Sequence, residues 1–215
     1  MSGKATELAC CAAGYAVGSV PVGLWLGKLA RGVDVRDYGS GGTGTTNVLR
    51  TVGPVAAGAV FVLDVAKGSV AVGVARRLGA SPTGQAAAGL GAVIGHSWPL
   101  FARFRGGKSV ATAFGALLLL TPEGSACAVG GGMTALVVTR TVSIGSLAAA
   151  GSATLGAAAL ALKGGERRRA GLLFAVPATA LIAWRHSANL RRLARGEEPK
   201  VSLRRRSPVA TAPPV

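Results

Sequence analysis

The sequence predicts an all-α, polytopic integral membrane protein with about seven transmembrane helices, and three observations carry that reading. Half of the 215 residues are hydrophobic, and the mean hydropathy is +0.46. Only 15% of residues are charged, against about 25% in ordinary soluble domains. The formal net charge is nonetheless +16. That charge is too large for a plain soluble core, and that hydropathy is too high for a nucleic-acid-binding tail protein, so no nucleic-acid partner is expected. Basic residues gathered in the loops of a membrane bundle satisfy both facts. Intrinsic disorder is excluded because it requires low hydrophobicity. Cys10, Cys11 and Cys127 lie in apolar runs without bridge or ligand spacing, so neither a disulfide framework nor a metal site is expected. Abundant glycine and few aromatics favour close helix contact through small residues.

The predicted crossings follow the charge-free runs 8–27, 78–102, 109–122, 124–139, 141–162 and 170–184, together with 54–75, which is apolar except for Asp64 and Lys67. About 20 residues cross a hydrocarbon slab, so the shorter runs need Lys108, Arg140 and Arg185 to snorkel at their ends. The 109–122 run is the weakest. The first run lacks the cleavage site of a signal peptide and reads as the first helix. Seven crossings divide the loops into two sets. One set, from Lys28 through Arg50, Arg103, Lys108 and Arg140 to the C-terminal region, holds 16 Lys and Arg; the other holds 7. The richer set is expected in the cytoplasm, with the N-terminus outside and the C-terminus inside. Residues 1–198 read as a single membrane domain. Residues 199–215 read as a basic, disordered cytoplasmic tail close to anionic lipid.

Polar chemistry gathers in three segments of the basic set. They are Gly39–Arg50, Gly95–Thr112 and Arg185–Glu198. Glycines let the backbone approach a ligand, successive N–H groups can form an anion nest, and a helix start adds positive dipole. Arg50, Lys108 and Arg185 or Arg191 add full charges. The combination suits phosphate or phosphoester groups. Two motif matches fail. Gly39 to Gly44 satisfies G-x-G-x-x-G, but a membrane run precedes it and no alternating strands follow. Gly107-Lys108-Ser109 resembles the end of a P-loop, but the first glycine of that motif falls on Ala102. Neither a dinucleotide nor ATP hydrolysis is expected, and no cofactor is implied.

Each feature also has a plainer explanation. Glycine-rich loops can be tight connections, and basic residues can be topology signals. His96 stands before Pro99 and can be an interfacial cap. Asp64 and Lys67, spaced i, i+3, can be a structural ion pair inside the membrane, although a carboxylate there also marks function. Ser143 can cap a helix or touch a ligand. The Gly130–Gly132 run reads as a packing point. Three polar segments on one face, each with a cation and small hydroxyl or amide side chains, favour a site.

Those segments closely resemble the bacterial acyl-phosphate:glycerol-3-phosphate acyltransferases of the PlsY type. Ser40-Gly41-Gly42-Thr43-Gly44-Thr45-Thr46-Asn47-Val48-Leu49-Arg50 resembles the family's S-G-N-P-G-A-T-N-x-x-R. The stretch from Gly95 to Thr112 resembles G-H-x-x-P-x-F-x-x-F-K-G-G-K-G-V-A-T. His186, Asn189, Arg192, Leu193, Gly196 and Glu198 resemble H-x-x-N-I-x-R-L-x-x-G-x-E, and Asp64, Lys67 and Gly68 resemble an F-D-x-x-K-G pattern. Gly42-Thr43 replaces Asn-Pro. Ser109 stands where the family has glycine, which removes easy access to positive φ at that point.

The resemblance implies transfer of a fatty acyl group from acyl phosphate to the 1-hydroxyl of glycerol 3-phosphate at a bacterial inner membrane. The products are lysophosphatidic acid and phosphate. On this reading Gly106, Gly107, Lys108 and Thr112 cradle the acyl-phosphate leaving group. Ser40, Thr46, Asn47 and Arg50, with Ser143, bind glycerol phosphate. His186 and Asn189 orient the hydroxyl or polarise the carbonyl, with His186 the best general base and a substrate phosphate its competitor. His96, Arg192 and Glu198 complete the substrate-binding set. The H-x-x-x-x-D pattern of another acyltransferase type is absent, because Phe101 and Arg191 fall five residues after the two histidines. A transporter of a phosphorylated metabolite is the runner-up. It predicts polar residues on both sides and two related halves, and neither is visible. A lipid-binding assembly protein is the third reading.

Overall fold

The structure is a computed structural model that describes residues 3–201, and every regular element among them is helical. The α-helices are α1 (Gly3–Gly18), α2 (Val22–Arg31), α3 (Thr45–Thr51), α4 (Pro54–Arg77), α5 (Pro82–Ser97), α6 (Val110–Leu120), α7 (Pro122–Thr139), α8 (Val142–Ala161), α9 (Glu166–Arg185) and α10 (Ser187–Ala194). Short 3-10 turns cover Val35–Asp37 and Leu100–Ala102. Pro54, Pro82 and Pro122 start helices at their first turn, where the missing N–H has no intrahelical partner to lose.

Three segments are long and apolar enough to cross a membrane: Gly3–Arg31, Pro54–Arg77 and Val142–Ala161. The first is broken. The expected single helix over 8–27 is two helices separated at Ser19–Pro21, because Pro21 has no N–H to continue the ladder and disfavours helix at the residue before it. The weak 109–122 run gives an α6 of 11 residues, only about 16 Å long. The expected tail begins as ordered chain: the Val201 N–H donates to the Arg140 carbonyl at 2.7 Å. The rest of that tail, 202–215, lies outside the described residues.

Glycine sets the packing. Gly14 and Gly18 of α1 lie against the Ala88 and Ala92 carbonyls of α5, while Gly91 and Gly95 of α5 lie against the Cys11 and Tyr15 carbonyls of α1. The order of contacts makes the two helices parallel, with four glycines in one seam of small-xxx-small pairs. Gly68 and Gly115 bring α4 and α6 together in the same way, and the Ser69 hydroxyl donates to the Gly115 carbonyl at 2.8 Å. α7 and α8 form an antiparallel hairpin across Gly132 and Gly145. α8 and α9 are antiparallel, joined by Thr154 and Thr179 hydroxyls 2.8 Å apart. Phe174 of α9 is fully buried over Gly89 and Ala116. Large apolar side chains such as Leu155, Val137 and Leu173 face outward instead, which is the distribution hydrocarbon favours.

The helices α1, α4, α5, α6, α7, α8 and α9 therefore alternate in direction. α1, α5 and α9 end, and α4, α6 and α8 begin, at one end of the bundle. The loops carrying all three polar segments lie at that end. Replacing Gly91 with Leu would force a side chain into the Cys11 backbone. A drop in Tm of several degrees or more in detergent is expected, of the size overpacking commonly gives, about 1–3 kcal/mol; a thermal melt of the purified variant checks it.

Candidate active site

The loop before α3 is built by one amide. Asn47 is buried; its Nδ2 donates to the Val35 and Gly42 carbonyls at 2.7 and 2.8 Å, and its Oδ1 accepts from the Ser40 N–H at 3.0 Å. Asn47 thus holds the loop that presents Ser40, Thr46 and Arg50 to the cavity. Arg36 ties this loop to the next. It forms a bidentate pair with Asp34 and donates to the Ala102 carbonyl at 2.8 Å. That guanidinium holds the Asp34 carboxyl down at about 2, against a small opposing effect of burial.

The second segment turns sharply at Gly106-Gly107. A Cβ on Gly106 would strike the His96 carbonyl, and one on Gly107 would strike His96 Nε2. The Gly107 N–H donates to the His96 carbonyl at 3.1 Å, so it is not available to an anion. On the other side Arg185 Nε donates to the Gly107 carbonyl at 3.0 Å, while its guanidinium lies over Trp98 at 5.3 Å. Ser109 adopts φ 61°, ψ 9°. The expected loss of left-handed geometry at this non-glycine residue does not occur. Its buried Oγ donates to the Val93 carbonyl at 2.7 Å and meets Ser97 Oγ at 2.6 Å, and these bonds offset the αL penalty of about 1–2 kcal/mol. Val110 and Ala111, in the first turn of α6 where backbone N–H groups have no intrahelical partner, line the cavity.

The third segment supplies a chain of polar contacts. Lys108 Nζ donates to Asn189 Oδ1 at 2.5 Å, Asn189 Nδ2 donates to Glu198 Oε1 at 2.6 Å, and Arg192 Nε meets Glu198 Oε2 at 2.8 Å. Burial pushes the Lys108 ammonium down to about 8, with Arg192, Arg185 and Arg50 adding to the effect and Glu198 opposing it. Burial raises the Glu198 carboxyl, but bonds from Asn189, Ser143 and Arg192 outweigh it and leave it below its usual range. His186 is buried, and its Nδ1 bonds the Ile182 carbonyl at 2.8 Å. Nδ1 therefore carries the proton and Nε2 is the acceptor. Burial and the Lys108 charge bring its pKa to about 4, so it is neutral at pH 7.

Ser40, Thr46, Asn47, Arg50, His96, Gly107, Lys108, Ser143, His186, Asn189, Arg192 and Glu198 line one cavity of about 270 Å³. Gly106 and Thr112 do not line it. Gly106 supports the turn from behind against His96 and Pro99, and Thr112 is buried in α6 where it packs on Gly68 of α4. Ser143 is not a cap: Thr141 precedes the first residue of α8, and the Ser143 side chain is buried against Glu198 at the wall of the cavity. Asp64, read from the sequence as a partner of Lys67 and left out of the predicted site, lines the same cavity, and the clamp made by Arg185 was not foreseen. An isolated intramembrane carboxylate was the available signal for the first. An apolar cavity of about 300 Å³ adjoins the polar one and shares Phe61, Val110, Val142 and Ser146 with it. Among the described residues no group of His, Cys, Asp or Glu is placed to hold a metal.

A helical bundle whose one end combines a cationic cleft with a hydrocarbon-lined groove defines a membrane protein for phosphorylated amphiphiles. The family described as glycerol-3-phosphate acyltransferase matches residues 8–196. The glycerol-3-phosphate acyltransferase of Symbiobacterium thermophilum is 45% identical over 193 residues, 90% of this chain and 94% of that protein. The corresponding protein of Parasynechococcus marenigrum is 43% identical over 197 residues, covering 91% and 90%. The crystal structure of PlsY (YgiH), an integral membrane glycerol 3-phosphate acyltransferase, in its glycerol 3-phosphate form superposes with a TM-score of 0.82 at 34% identity, covering 91% of this chain and 96% of that one. Its lysophosphatidic acid form gives 0.79. The chain belongs to the glycerol-3-phosphate acyltransferase family.

Two predictions follow from this geometry. As pH rises through about 8, Lys108 loses its proton, so kcat/KM should fall about tenfold per pH unit on that limb; Lys108→Arg should move the limb upward. Ser109→Gly should leave Tm near wild type, whereas Ser109→Ala, which loses both hydroxyl bonds and keeps positive φ, should cost about 1–3 kcal/mol by thermal or denaturant unfolding.

Proposed function

We propose that the protein transfers a fatty acyl group from acyl phosphate to the 1-hydroxyl of glycerol 3-phosphate, releasing lysophosphatidic acid and inorganic phosphate. The observation that carries this reading is the junction of the two cavities. Cations and hydroxyls for two phosphates lie in one, and the other, lined by Phe114, Met133, Leu136 and Phe174, fits an acyl chain. The shared residues support a reacting carbonyl at that junction.

Lys108 and the N-terminus of α6 hold the acyl phosphate. Ser40, Thr46 and Arg50, with Ser143, hold glycerol 3-phosphate. The hydroxyl oxygen attacks the carbonyl carbon, the acyl carbon–oxygen bond to phosphate breaks, and phosphate leaves with the electron pair. His186 Nε2 accepts a hydrogen bond from the hydroxyl and aims it. With His186 near 4 and a phosphate monoester's second ionisation near about 6, the phosphate is the stronger base. The proton therefore ends on the departing phosphate. Positioning and fixed charge supply the rate.

The seven alternating helices serve as seven crossings of a bacterial inner membrane. The excess of Lys and Arg in the loops at the site end supports a cytoplasmic position for that end, with the N-terminus outside and the C-terminus inside. The described residues act as one catalytic domain that extends to Pro199 in the cavity wall and Val201 against Arg140. Labelled glycerol 3-phosphate and palmitoyl phosphate, given to purified enzyme, should yield lysophosphatidate and phosphate in equal amounts; absence of product refutes the function. Lys108→Ala should lower kcat/KM by about 10²–10³-fold in the same assay. Single cysteines at Ser40 and Gly196, in a background without native cysteines, should both react from the cytoplasmic side of sealed vesicles.

A further inference from the structure

The mechanism above leaves one buried group without a task. Asp64 is in the middle of α4, 2% exposed, yet it reaches the floor of the reaction cavity. Its Oδ1 lies 2.8 Å from Lys67 Nζ and 3.4 Å from His96 Nδ1. Lys67 has a further contact: it donates to the Val20 carbonyl at 3.2 Å, in the break between α1 and α2. A carboxylate within a membrane bundle is costly, and an apolar side chain would fill the space.

We propose that Asp64 is a positioning residue for acyl transfer, acting through His96 on the Gly106-Gly107-Lys108 turn. The carboxylate charge 3.4 Å from Nδ1 favours the imidazole tautomer with its proton on Nδ1. The opposite edge of the ring, Nε2, packs directly on Gly107, where there is no room for a Cβ. The carbonyl of the same residue holds the Gly107 N–H at 3.1 Å and backs Gly106. Arg185 holds the turn from its other side through the Gly107 and Gly106 carbonyls at 3.0 and 3.4 Å. The turn is thus clamped between a histidine and an arginine, and the next residue in the chain is Lys108, whose ammonium meets Asn189 in the cavity. Without the carboxylate, the imidazole can take the other tautomer and put an N–H against Gly107. The ring then moves away, and the turn moves with it. A displacement of about 1 Å in a reacting group costs roughly 10²-fold in rate.

The inference rests on the acyl-transfer reading of the cavity. An inactive wild-type enzyme would refute that reading, whereas an active wild type lets the following variants test Asp64 alone. The double variant Asp64→Asn, Lys67→Met removes both charges and leaves neither unpaired. Its kcat should fall about 20-fold or more, with the inhibition constant for inorganic phosphate raised about fivefold, while Tm stays within a few degrees. Wild-type kcat and phosphate inhibition would overturn the proposal, because a purely structural ion pair predicts that result. A second pair decides the matter if the first variant does not fold. Gly107→Ala should be nearly inactive because its methyl meets Nε2. Adding His96→Ala removes the obstacle and should restore activity about fivefold or more over Gly107→Ala. Losses that simply multiply would show that the ring does not set the turn.

Discussion

Charges gathered in a cavity beside hydrocarbon need a fixed arrangement of their own. The run of contacts from Lys108 through Asn189 to Glu198 and Arg192 provides it. It joins the loop before α6 to the segment after α9, so two ends of the chain's long helices are registered by one amide and one carboxylate. Asn189 can do this because an amide offers an acceptor to an ammonium and donors to a carboxylate from one planar group. Without substrate, Glu198 keeps the positive charges from repelling one another. On the proposed reaction, phosphate oxygens would enter a field already in place, and little reorganisation would be required when charge shifts in the transition state.

That field depends on how closely the helices behind it approach. Backbone meets backbone along α1 and α5, and again along α4 and α6, at glycines on both partners. In hydrocarbon, where there is no hydrophobic drive between helices, such contacts supply dispersion and a fixed distance. The fixed distance matters for the site because His96 ends α5, Asp64 lies on α4 and Val110 starts α6. Three helices spaced by glycine bring one imidazole, one carboxylate and one helix terminus into a single cavity. The break at Ser19–Pro21 belongs to the same economy of contacts: the carbonyl of Val20, freed by the interruption, accepts from Lys67.

Backbone strain is concentrated at the second loop. Arg103, Phe104 and Ser109 all have positive φ without being glycine. Hydrogen bonds that start elsewhere hold them there: the Phe104 N–H donates to the Pro99 carbonyl, and the Ser109 hydroxyl donates to the Val93 carbonyl. Conformations of this kind persist where surrounding structure over-determines them, and they cluster at functional sites. Here they turn the chain from the end of α5 to the start of α6 within a dozen residues and aim the N-terminus of α6 at the cavity.

Composition and charge-free runs were enough for the helical class and for the approximate places of the long helices, because apolar length and loop charge are local properties of a chain. The three polar segments were equally legible, since glycines, cations and small hydroxyls stand together in sequence. What no segment contains is its partner. Asn47 and Ser40 are seven residues apart, but Lys108 and Asn189 are 81 apart, and only the packed bundle decides that they touch. The same holds for individual roles. Ser143 reads equally as a cap or a ligand contact until α8 is seen to begin one residue before it, and Gly106 reads as a ligand until the turn sets it behind the cavity wall. Ser109 reads as a disturbance until its hydroxyl finds Val93 and Ser97. Asp64 and Lys67 declare a pair by spacing alone, yet the third member, His96, comes from another helix. Local preference is written along the chain, whereas the direction in which a side chain points depends on which surface lies opposite, and that is settled only when the helices meet.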